Sequence, residues 1–354
     1  MTKKIRLLII DDSLLIRKMI RSIVSADPFI DVVGEAEDPI EAREKIKSLN
    51  PDVVTLDVEM PKMDGLSFLT KIMSLRPMPV IMVSTLTQRG ADVTIRALEI
   101  GAVDYVAKPA HHDLTMVSQE LISKIKIASI AKVTPYGRKD VSNLANNIIN
   151  SPAAYTKNII AIGSSTGGVE SLFDILVRLP ADCPPVVIAQ HISNGFSKRF
   201  ALRVDKSCAV HVKEAEDKER LMPGTVYIGP GGKHLMIKKA GNNIIGQVIE
   251  DTLGENYRPS VDRLFCSVAN TVQENAVGVI LTGMGKDGAR GLLEMRNAGA
   301  TTLGQDESSS IVYGMPKAAM MAGAVQKQVS LSNMAENIIS ACATRRLRKK
   351  VGNL

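Results

Sequence analysis

Over most of the chain, short apolar runs alternate with longer segments in which apolar side chains recur every three or four residues. In the first third the runs are Arg6–Ile10, Val32–Glu35, Asp52–Leu56, Val80–Val83 and Asp104–Ala107, and helical periods fall near 14–26, 39–49, 65–74, 88–99 and 112–128. Continuous apolar runs suit strands buried on both faces, and the helix-length segments between them suit crossover connections. The pattern predicts a five-stranded parallel sheet wound by helices on both faces. Between about 129 and 156 the rhythm breaks. There Lys139, Asp140, Ser142, Asn143, Asn146, Asn147, Asn150, Ser151 and Pro152 make a polar stretch that reads as a linker or a short exposed helix. A second α/β unit starts at Lys157, with strand-like runs at Ile159–Ile162, Pro185–Ala189, Val210–Val212, Thr225–Ile228, His234–Ile237, Asn243–Val248, Val277–Thr282 and Ala300–Leu303. The middle runs alternate and are joined by glycines, which predicts hairpins on an otherwise parallel sheet. The expected fold class is therefore α/β, with two doubly wound domains at 1–125 and 157–346, a linker at 126–156 and a basic tail at 347–354.

Composition narrows the class. The length of 354 residues suits two domains, and a hydrophobic fraction of 45% is ample for two cores. No run approaches the roughly 18 apolar residues of a membrane span, so no membrane insertion is expected. Lys3, Lys4 and Arg6 precede Leu7–Ile10, but Asp11-Asp12 interrupt that run before a signal-peptide core can form, and a cytoplasmic location is expected. Cys183, Cys208, Cys266 and Cys342 are scattered and form no C-x-x-C, as suits reduced, packed thiols. The net charge of +7 raises nucleic-acid binding, but aromatics are only 3% and tryptophan is absent, so stacking platforms are missing. Part of the excess sits in Arg345-Arg346-Leu347-Arg348-Lys349-Lys350, which reads as a solvated tail, and no nucleic-acid partner is expected.

In an open doubly wound sheet, ligands bind beyond the carboxyl ends of the strands. In the first domain those ends carry Asp11-Asp12, Asp57, Ser84-Thr85 and Lys108-Pro109. Three converging carboxylates repel one another unless a cation sits among them, and Mg²⁺ prefers such an all-oxygen site. Lys108 balances charge on the other side, the Ser84 hydroxyl is placed to donate to a phosphoryl group, and a central Asp can form an acyl phosphate. A single Asp at a strand end is commonly a helix cap, but five positions together are not explained that way. Over residues 5–125 this arrangement resembles the receiver domain of two-component response regulators, a flavodoxin-like fold. The resemblance implies Asp57 as phospho-acceptor and Asp11 and Asp12, with Asp57, as Mg²⁺ ligands. It also implies Ser84 as switch hydroxyl, Lys108 as phosphate contact and Tyr105 as the aromatic that reorients on activation.

The second domain opens with Ile159-Ile160-Ala161-Ile162-Gly163-Ser164-Ser165-Thr166-Gly167-Gly168, a buried strand running into a glycine-serine turn. Gly163, Ser165 and Gly167 match the G-x-S-x-G spacing of a nucleophile elbow; the bland alternative is a turn whose hydroxyls cap the next helix. A nucleophilic serine needs a base, and the base an orienting group. Among His191, His211 and His234, only His191 directly follows a buried parallel strand; His211 lies inside an alternating segment and His234 opens a strand after Gly231-Gly232-Lys233, so neither is expected to converge on Ser165. Asp287 follows another such strand through Gly283-Met284-Gly285-Lys286. Ser165, His191 and Asp287 thus all follow strand ends, in a chain order that differs from that of α/β-hydrolases. Gly283, Gly285 and Gly288 also spell a dinucleotide fingerprint, with Asp306 further on, but Asp287 would aim a carboxylate at the pyrophosphate, and too little chain remains for a second mononucleotide half.

The residues Ile162–Gly168, Gln190-His191, Arg258-Pro259-Ser260-Val261-Asp262, Leu281–Gly288 and Tyr313-Gly314-Met315-Pro316 resemble the chemotaxis protein-glutamate methylesterase (CheB) family, over nearly the full length and in the same domain order. The resemblance implies a larger, mostly parallel α/β methylesterase domain with Ser165 as nucleophile, His191 as base and Asp287 as its partner. It implies hydrolysis of glutamate γ-methyl esters on methyl-accepting chemotaxis receptors with release of methanol, deamidation of selected glutamines, and no cofactor for the hydrolysis. The chemotaxis histidine kinase is the implied phosphodonor, and the unphosphorylated receiver is expected to block the active-site face. Backbone N–H groups near Thr166 and Met284 are oxyanion-hole candidates. Ser164 stands where the family usually has alanine. The alternative class is a response regulator whose second domain binds a partner or nucleic acid without catalysis; no helix-turn-helix signature stands out, and the basic tail is a weak argument for it.

Overall fold

The computed structural model describes residues 3–60, 63–85, 88–108, 114–135, 148–150, 155, 159–251 and 257–351. The chain divides into two compact units, Met1–Arg138 and Lys139–Leu354. Of the polar stretch expected to be linker, Lys139–Asn147 and Ser151-Pro152 lie outside the described residues.

The first unit alternates strand and helix throughout: β1 (Ile5–Ile10), α1 (Leu14–Val24), β2 (Ile30–Ala36), α2 (Pro39–Leu49), β3 (Val53–Asp57), α3 (Gly65–Leu75), β4 (Val80–Ser84), α4 (Gln88–Ile100), β5 (Asp104–Ala107) and α5 (Leu114–Ala128). The strands form one parallel sheet in the order β2-β1-β3-β4-β5. Because β3 and β4 are buried along their whole length, they read as continuous apolar runs rather than alternating ones. Helix starts are fixed locally. Ser13, Asp38 and Asp64 cap α1, α2 and α3 through their side-chain oxygens.

The second unit comprises β6 (Ile159–Ser164), α6 (Gly168–Leu176), β7 (Val186–Gln190), α7 (Phe196–Asp205), β8 (His211–Glu214), β9 (Thr225–Ile228), β10 (Lys233–Ala240), β11 (Asn243–Glu250), α8 (Val261–Val272), β12 (Ala276–Ile280), α9 (Ala289–Asn297), β13 (Thr301–Gln305), α10 (Met315–Met321), β14 (Lys327–Val329) and α11 (Leu331–Val351). Seven strands make a parallel sheet in the order β14-β13-β12-β6-β7-β9-β8. The chain leaves β6 toward β7 on one side and later returns to its other side with β12, so the direction of winding reverses at β6. The expectation of several hairpins on this sheet is corrected: β8 and β9 pair in parallel within it, and among the described residues only β10 and β11 form a hairpin, as a separate two-stranded sheet. β8, at the sheet's edge, is partly exposed, whereas β9, between β7 and β8, is almost wholly buried, and neither short run reports the direction of its partner. The three-residue β14 carries no periodic signal and was not expected, and the residues 347–351, expected as tail, continue α11.

One core of this unit lies between the sheet and α8, α9 and α10, and further fully buried side chains such as Leu172, Phe200 and Ile338 come from α6, α7 and α11. Phe265 and Leu264 of α8 pack with Val261, Leu292, Met295 and Met315, all fully buried. No helix among the described residues is long and apolar enough to cross a membrane.

Candidate active site and receiver acid cluster

Ser165 is the residue directly after β6, and the sheet ladder continues into the turn that carries it. Ser165 N–H donates to Thr282 O at 3.0 Å, His191 N–H to Ser164 O at 3.0 Å, and Leu281 N–H to Gly163 O at 2.9 Å. The three neighbouring strands β7, β6 and β12 are thereby locked together just where His191, Ser165 and the Asp287 loop leave them. The helix-cap reading of this turn fails, because Gly167, at φ 76, is the N-cap of α6 and no side chain caps that helix. Gly288 likewise precedes α9 without a side-chain cap, so Asp287 does not cap the helix that follows it.

The two serines face opposite ways, as successive residues of a strand do. Ser164 is fully buried and its hydroxyl donates to Gln190 Oε1 at 2.6 Å. The Gln190 amide in turn donates to Ser165 O and to His191 O, each at 3.0 Å. Ser165 is half-buried and its Oγ lies 3.1 Å from His191 Nδ1. His191 Nε2 lies 2.8 Å from Asp287 Oδ2. Since an ionised carboxylate only accepts, Nε2 carries the proton and Nδ1 is left as the acceptor for the serine hydroxyl. The geometry therefore presents Nδ1, not Nε2, to the serine.

Asp287 is held by three further donors: Val261 N–H at 2.7 Å on Oδ2, and Asp262 N–H at 2.9 Å and Ser260 Oγ–H at 3.1 Å on Oδ1. Burial pushes its carboxyl up, but the hydrogen bond and charge of His191 and the N–H groups of Asp262 and Val261 outweigh that and hold it below the ordinary carboxylate range. The Tyr257 ring lies over the His191 imidazole, with centroids 4.3 Å apart and planes 5° from parallel, and covers one face of the ring. Met284 N–H, one of the two oxyanion candidates, makes no hydrogen bond among the described residues. The backbone beside it passes so close to the serine that a Cβ on Gly283 would stand 2.6 Å from Ser165 Cβ. Thr166 is buried at the start of the turn, and its carbonyl accepts from Thr282 Oγ1 at 3.1 Å.

The structure thus brings together Ser165, His191 and Asp287 and keeps His211 away, paired with Asp205 at the surface. Sequence reasoning assigned no role to Tyr257, Gln190 or the Ser260–Asp262 donors. Ser260 ahead of an apolar helical period is an N-cap signal that marks the start of α8; no periodicity marks Tyr257.

In the first unit, Asp11, Asp12 and Asp57 present carboxylate oxygens within 4.8 Å of one another. Ser13 rather than either aspartate caps α1, so capping does not account for them. Lys108 Nζ lies 2.8 Å from Asp57 Oδ2 and 3.2 Å from Asp11 Oδ2. Burial above all, and then the charge of Asp11, push the Asp57 carboxyl up to about 6 despite Lys108; burial also raises Asp11. Two buried carboxylates that one lysine leaves incompletely compensated, with a third at the surface, form a hard all-oxygen donor set that fits Mg²⁺. Ser84 is one register step from Asp57 across the β3–β4 pair, but its hydroxyl turns to Thr85 O at 3.3 Å and Gly90 O at 3.4 Å. Tyr105 is buried, with Lys124 Nζ 4.7 Å from its ring centroid.

The sequence profile of the CheB methylesterase matches residues 160–338, and that of the response regulator receiver domain matches residues 7–118. A protein-glutamate methylesterase/protein-glutamine glutaminase of Nitrosomonas europaea is 52% identical over 345 residues, covering 96% of either chain. A protein of the same name from Caulobacter vibrioides (number 1 in that organism) is 53% identical over 346 residues, covering 97% of this chain and 99% of its own. The crystal structure of the Thermotoga maritima CheB methylesterase catalytic domain superimposes with a TM-score of 0.51 at 36% identity, over 52% of this chain and 98% of that one. With its strand-end serine, histidine and aspartate on the matched segment and an acidic receiver site ahead of it, the chain belongs to the CheB methylesterase family, with a response regulator receiver domain preceding the methylesterase domain.

Proposed function

We infer that this chain is a phosphorylation-controlled serine hydrolase that removes methyl groups from glutamate γ-methyl esters of chemoreceptors and deamidates receptor glutamines. The observation that carries the reading is the unbroken line from Ser165 Oγ through His191 to Asp287 at 3.1 and 2.8 Å. The names of relatives about half identical over nearly the whole chain support the same substrate chemistry.

The neutral His191 takes the Ser165 proton on Nδ1 as the serine oxygen attacks the ester carbonyl. Asp287 keeps the imidazole in the tautomer that can accept at Nδ1 and stabilises the imidazolium without itself taking the proton. Charge gathering on the carbonyl oxygen is met by backbone N–H groups, with Met284 N–H and Thr166 N–H the two candidates. On collapse, Nδ1–H protonates the departing oxygen and methanol leaves; from a glutamine side chain the leaving group is ammonia. Water, deprotonated by the same nitrogen, then hydrolyses the acyl-serine to give the glutamate carboxylate and regenerate Ser165. Gln190 supports this by holding the carbonyls of both Ser165 and His191.

Asp57 is the proposed phospho-acceptor and a chemotaxis histidine kinase the proposed phosphodonor, in the cytoplasm where receptor signalling domains and kinase are available. Asp11, Asp12 and Asp57 would hold Mg²⁺, whose charge offsets theirs and that of an incoming phosphoryl group. Lys108 pairs with Asp57 and Asp11 and is placed to follow the negative charge as it moves onto phosphate, while Ser84, once turned from Gly90, can donate to it. Methanol release from methylated receptor membranes tests the hydrolase reading. Ser165→Ala abolishes it and Ser164→Ala retains most of it; undiminished release by Ser165→Ala overturns the nucleophile assignment.

A further inference from the structure

His234 has no part in the reaction as described, yet it stands directly behind the cradle that holds Asp287. It is the second residue of β10 and is completely buried. Its Nδ1 accepts the Ser260 N–H at 3.2 Å, while its Nε2 faces Asp251 Oδ1 at 3.8 Å. Asp251, whose side chain is 1% exposed, lies in turn 3.8 Å from Arg258 Nε through its other oxygen. An acceptor at Nδ1 requires the proton on Nε2, which is the tautomer an aspartate on that side selects. The domain therefore contains two imidazoles with a carboxylate on the Nε2 side, hydrogen-bonded at 2.8 Å in His191 and facing at 3.8 Å in His234, one carrying the Ser165 hydroxyl and the other a backbone N–H.

What His234 holds is the residue from which the Asp287 donors radiate. Ser260 gives its hydroxyl to Asp287 Oδ1, and the next two residues give their N–H groups to Oδ2 and Oδ1. These three donors come from the N-terminus of α8, so their aim is set by how the chain enters that helix. The entry is pinned from the β10 side twice: Ser260 N–H goes to His234, and Gly232 N–H donates to Arg258 O at 3.2 Å. Further along, Ile237 N–H donates to Ser267 Oγ at 3.0 Å and Thr271 Oγ1 to Ile237 O at 3.2 Å, so β10 is tied along α8 for more than two turns.

We propose that His234 is a positioning residue for hydrolysis: its neutral Nε2–H tautomer, backed by Asp251, fixes Ser260 so that three donors converge on Asp287 and keep its carboxylate aligned with His191. The charged groups on the described elements around it are Asp251, after β11, and Arg258, in the loop before α8, with Asp287 beyond Ser260. Loss of the acceptor leaves the buried Ser260 N–H unpaired and loosens the donors on Asp287. The carboxylate becomes more basic and holds protons on itself and on the imidazolium more tightly, so the acidic limb of the rate profile moves to higher pH.

The proposal rests on the reading of Ser165, His191 and Asp287 as the reacting array, and the test separates the two. Full-length His234→Leu, His234→Asn and Ser165→Ala are compared with the parent for methanol release from methylated receptor membranes across pH. His234→Leu is expected to lower kcat by about 10- to 100-fold with little change in KM, the size of effect known for losing the hydrogen-bond partner behind a metal-bound histidine, and to shift the acidic limb upward. His234→Asn, whose Oδ1 occupies the place of Nδ1, restores most of kcat and the profile. A folded His234→Leu with parental kcat and pH profile, or an Asn variant no better than Leu, overturns the proposal. Should His234→Leu fail to fold, Asp251→Asn carries the same comparison: a lowered kcat with a shifted limb supports the proposal, and parental values refute it. Activity surviving in Ser165→Ala would instead overturn the underlying catalytic reading.

Discussion

Asp287→Asn is nearly isosteric and tests the line of three side chains most sharply. In the structure Oδ2 receives His191 Nε2–H and Val261 N–H, and Oδ1 receives Asp262 N–H and Ser260 Oγ–H. An amide must put its NH₂ in one of these places. At Oδ1 it opposes the Asp262 N–H, leaves one buried donor unpaired at a cost of about 1–3 kcal/mol, and removes the anion that faces the imidazolium. At Oδ2 it opposes the Val261 N–H at a similar cost and forces His191 to accept at Nε2, which places the proton on Nδ1 and disables it as a base toward Ser165. Either arrangement lowers thermal stability, by about 2–4 °C for each kcal/mol in a domain of this size. Turnover suffers more. By analogy with the same substitution in a Ser-His-Asp protease, which costs about 10⁴-fold, kcat should fall by about 10²- to 10⁴-fold. Substrate contacts are untouched, so KM moves little. Methanol release at several receptor concentrations and pH values, alongside thermal melting, reads both effects. A variant that melts lower but keeps kcat within about threefold of the parent would show that Asp287 serves the fold and not the reaction.

Three further outcomes follow from other contacts. A Cβ on Gly168 would stand 2.1 Å from Gln190 Oε1 and 2.8 Å from Ser164 Cβ, so Gly168→Ala should displace the amide that holds Ser165 and His191, costing about 1–3 kcal/mol in urea unfolding; an unchanged midpoint and kcat would refute this. Asp57 has its folded pKa raised from 3.8 to about 6, so the native state binds the extra proton between those values and loses stability as pH rises through them. Asp57→Asn should therefore melt higher than the parent above about pH 6 without divalent metal, by on the order of 1–3 kcal/mol, with the gain vanishing below about pH 4; a gain that persists at pH 4 contradicts the assignment. The same variant should lose all stimulation of methanol release by a small phosphodonor with Mg²⁺, and stimulation that survives would overturn control through Asp57.

Legibility from sequence followed the source of each signal. His191 and Asp287 could be found because fully buried parallel strands have unmistakable ends, and chemistry gathers there in this class of sheet. The choice between the two serines was legible because the elbow spacing and the family pattern both select Ser165, and the structure turns that hydroxyl, not that of Ser164, to His191. The contact of His234 with Ser260 was missed because the two are 26 residues apart and meet only through the packing of β10 on α8. Tyr257 sits in a loop, and a stacked ring leaves no period. The hairpins were miscounted because β8 and β9 are short runs that look like hairpin strands in sequence although they pair in parallel, and neither length nor polarity reports the direction of the partner. Residues 347–351 were read as tail because the run Arg345–Lys350 is basic, and a run of charge in sequence does not tell the end of a helix from a tail.

The position of β6 has one more consequence. It is the middle strand of seven, and the array hangs from it and its two immediate neighbours, whereas the edges are closed by β14, of three residues, and β8, of four. A sheet of this kind opens from its margins, where few hydrogen bonds hold a short strand, so the least stable parts of the domain lie furthest from Ser165. Partial opening at the rim leaves the hydrolytic centre assembled, and the free energy needed to dismantle it approaches that of unfolding the domain altogether. Turnover measured along a denaturant series should then decline in step with global unfolding, making the enzyme's own activity a gauge of its cooperativity.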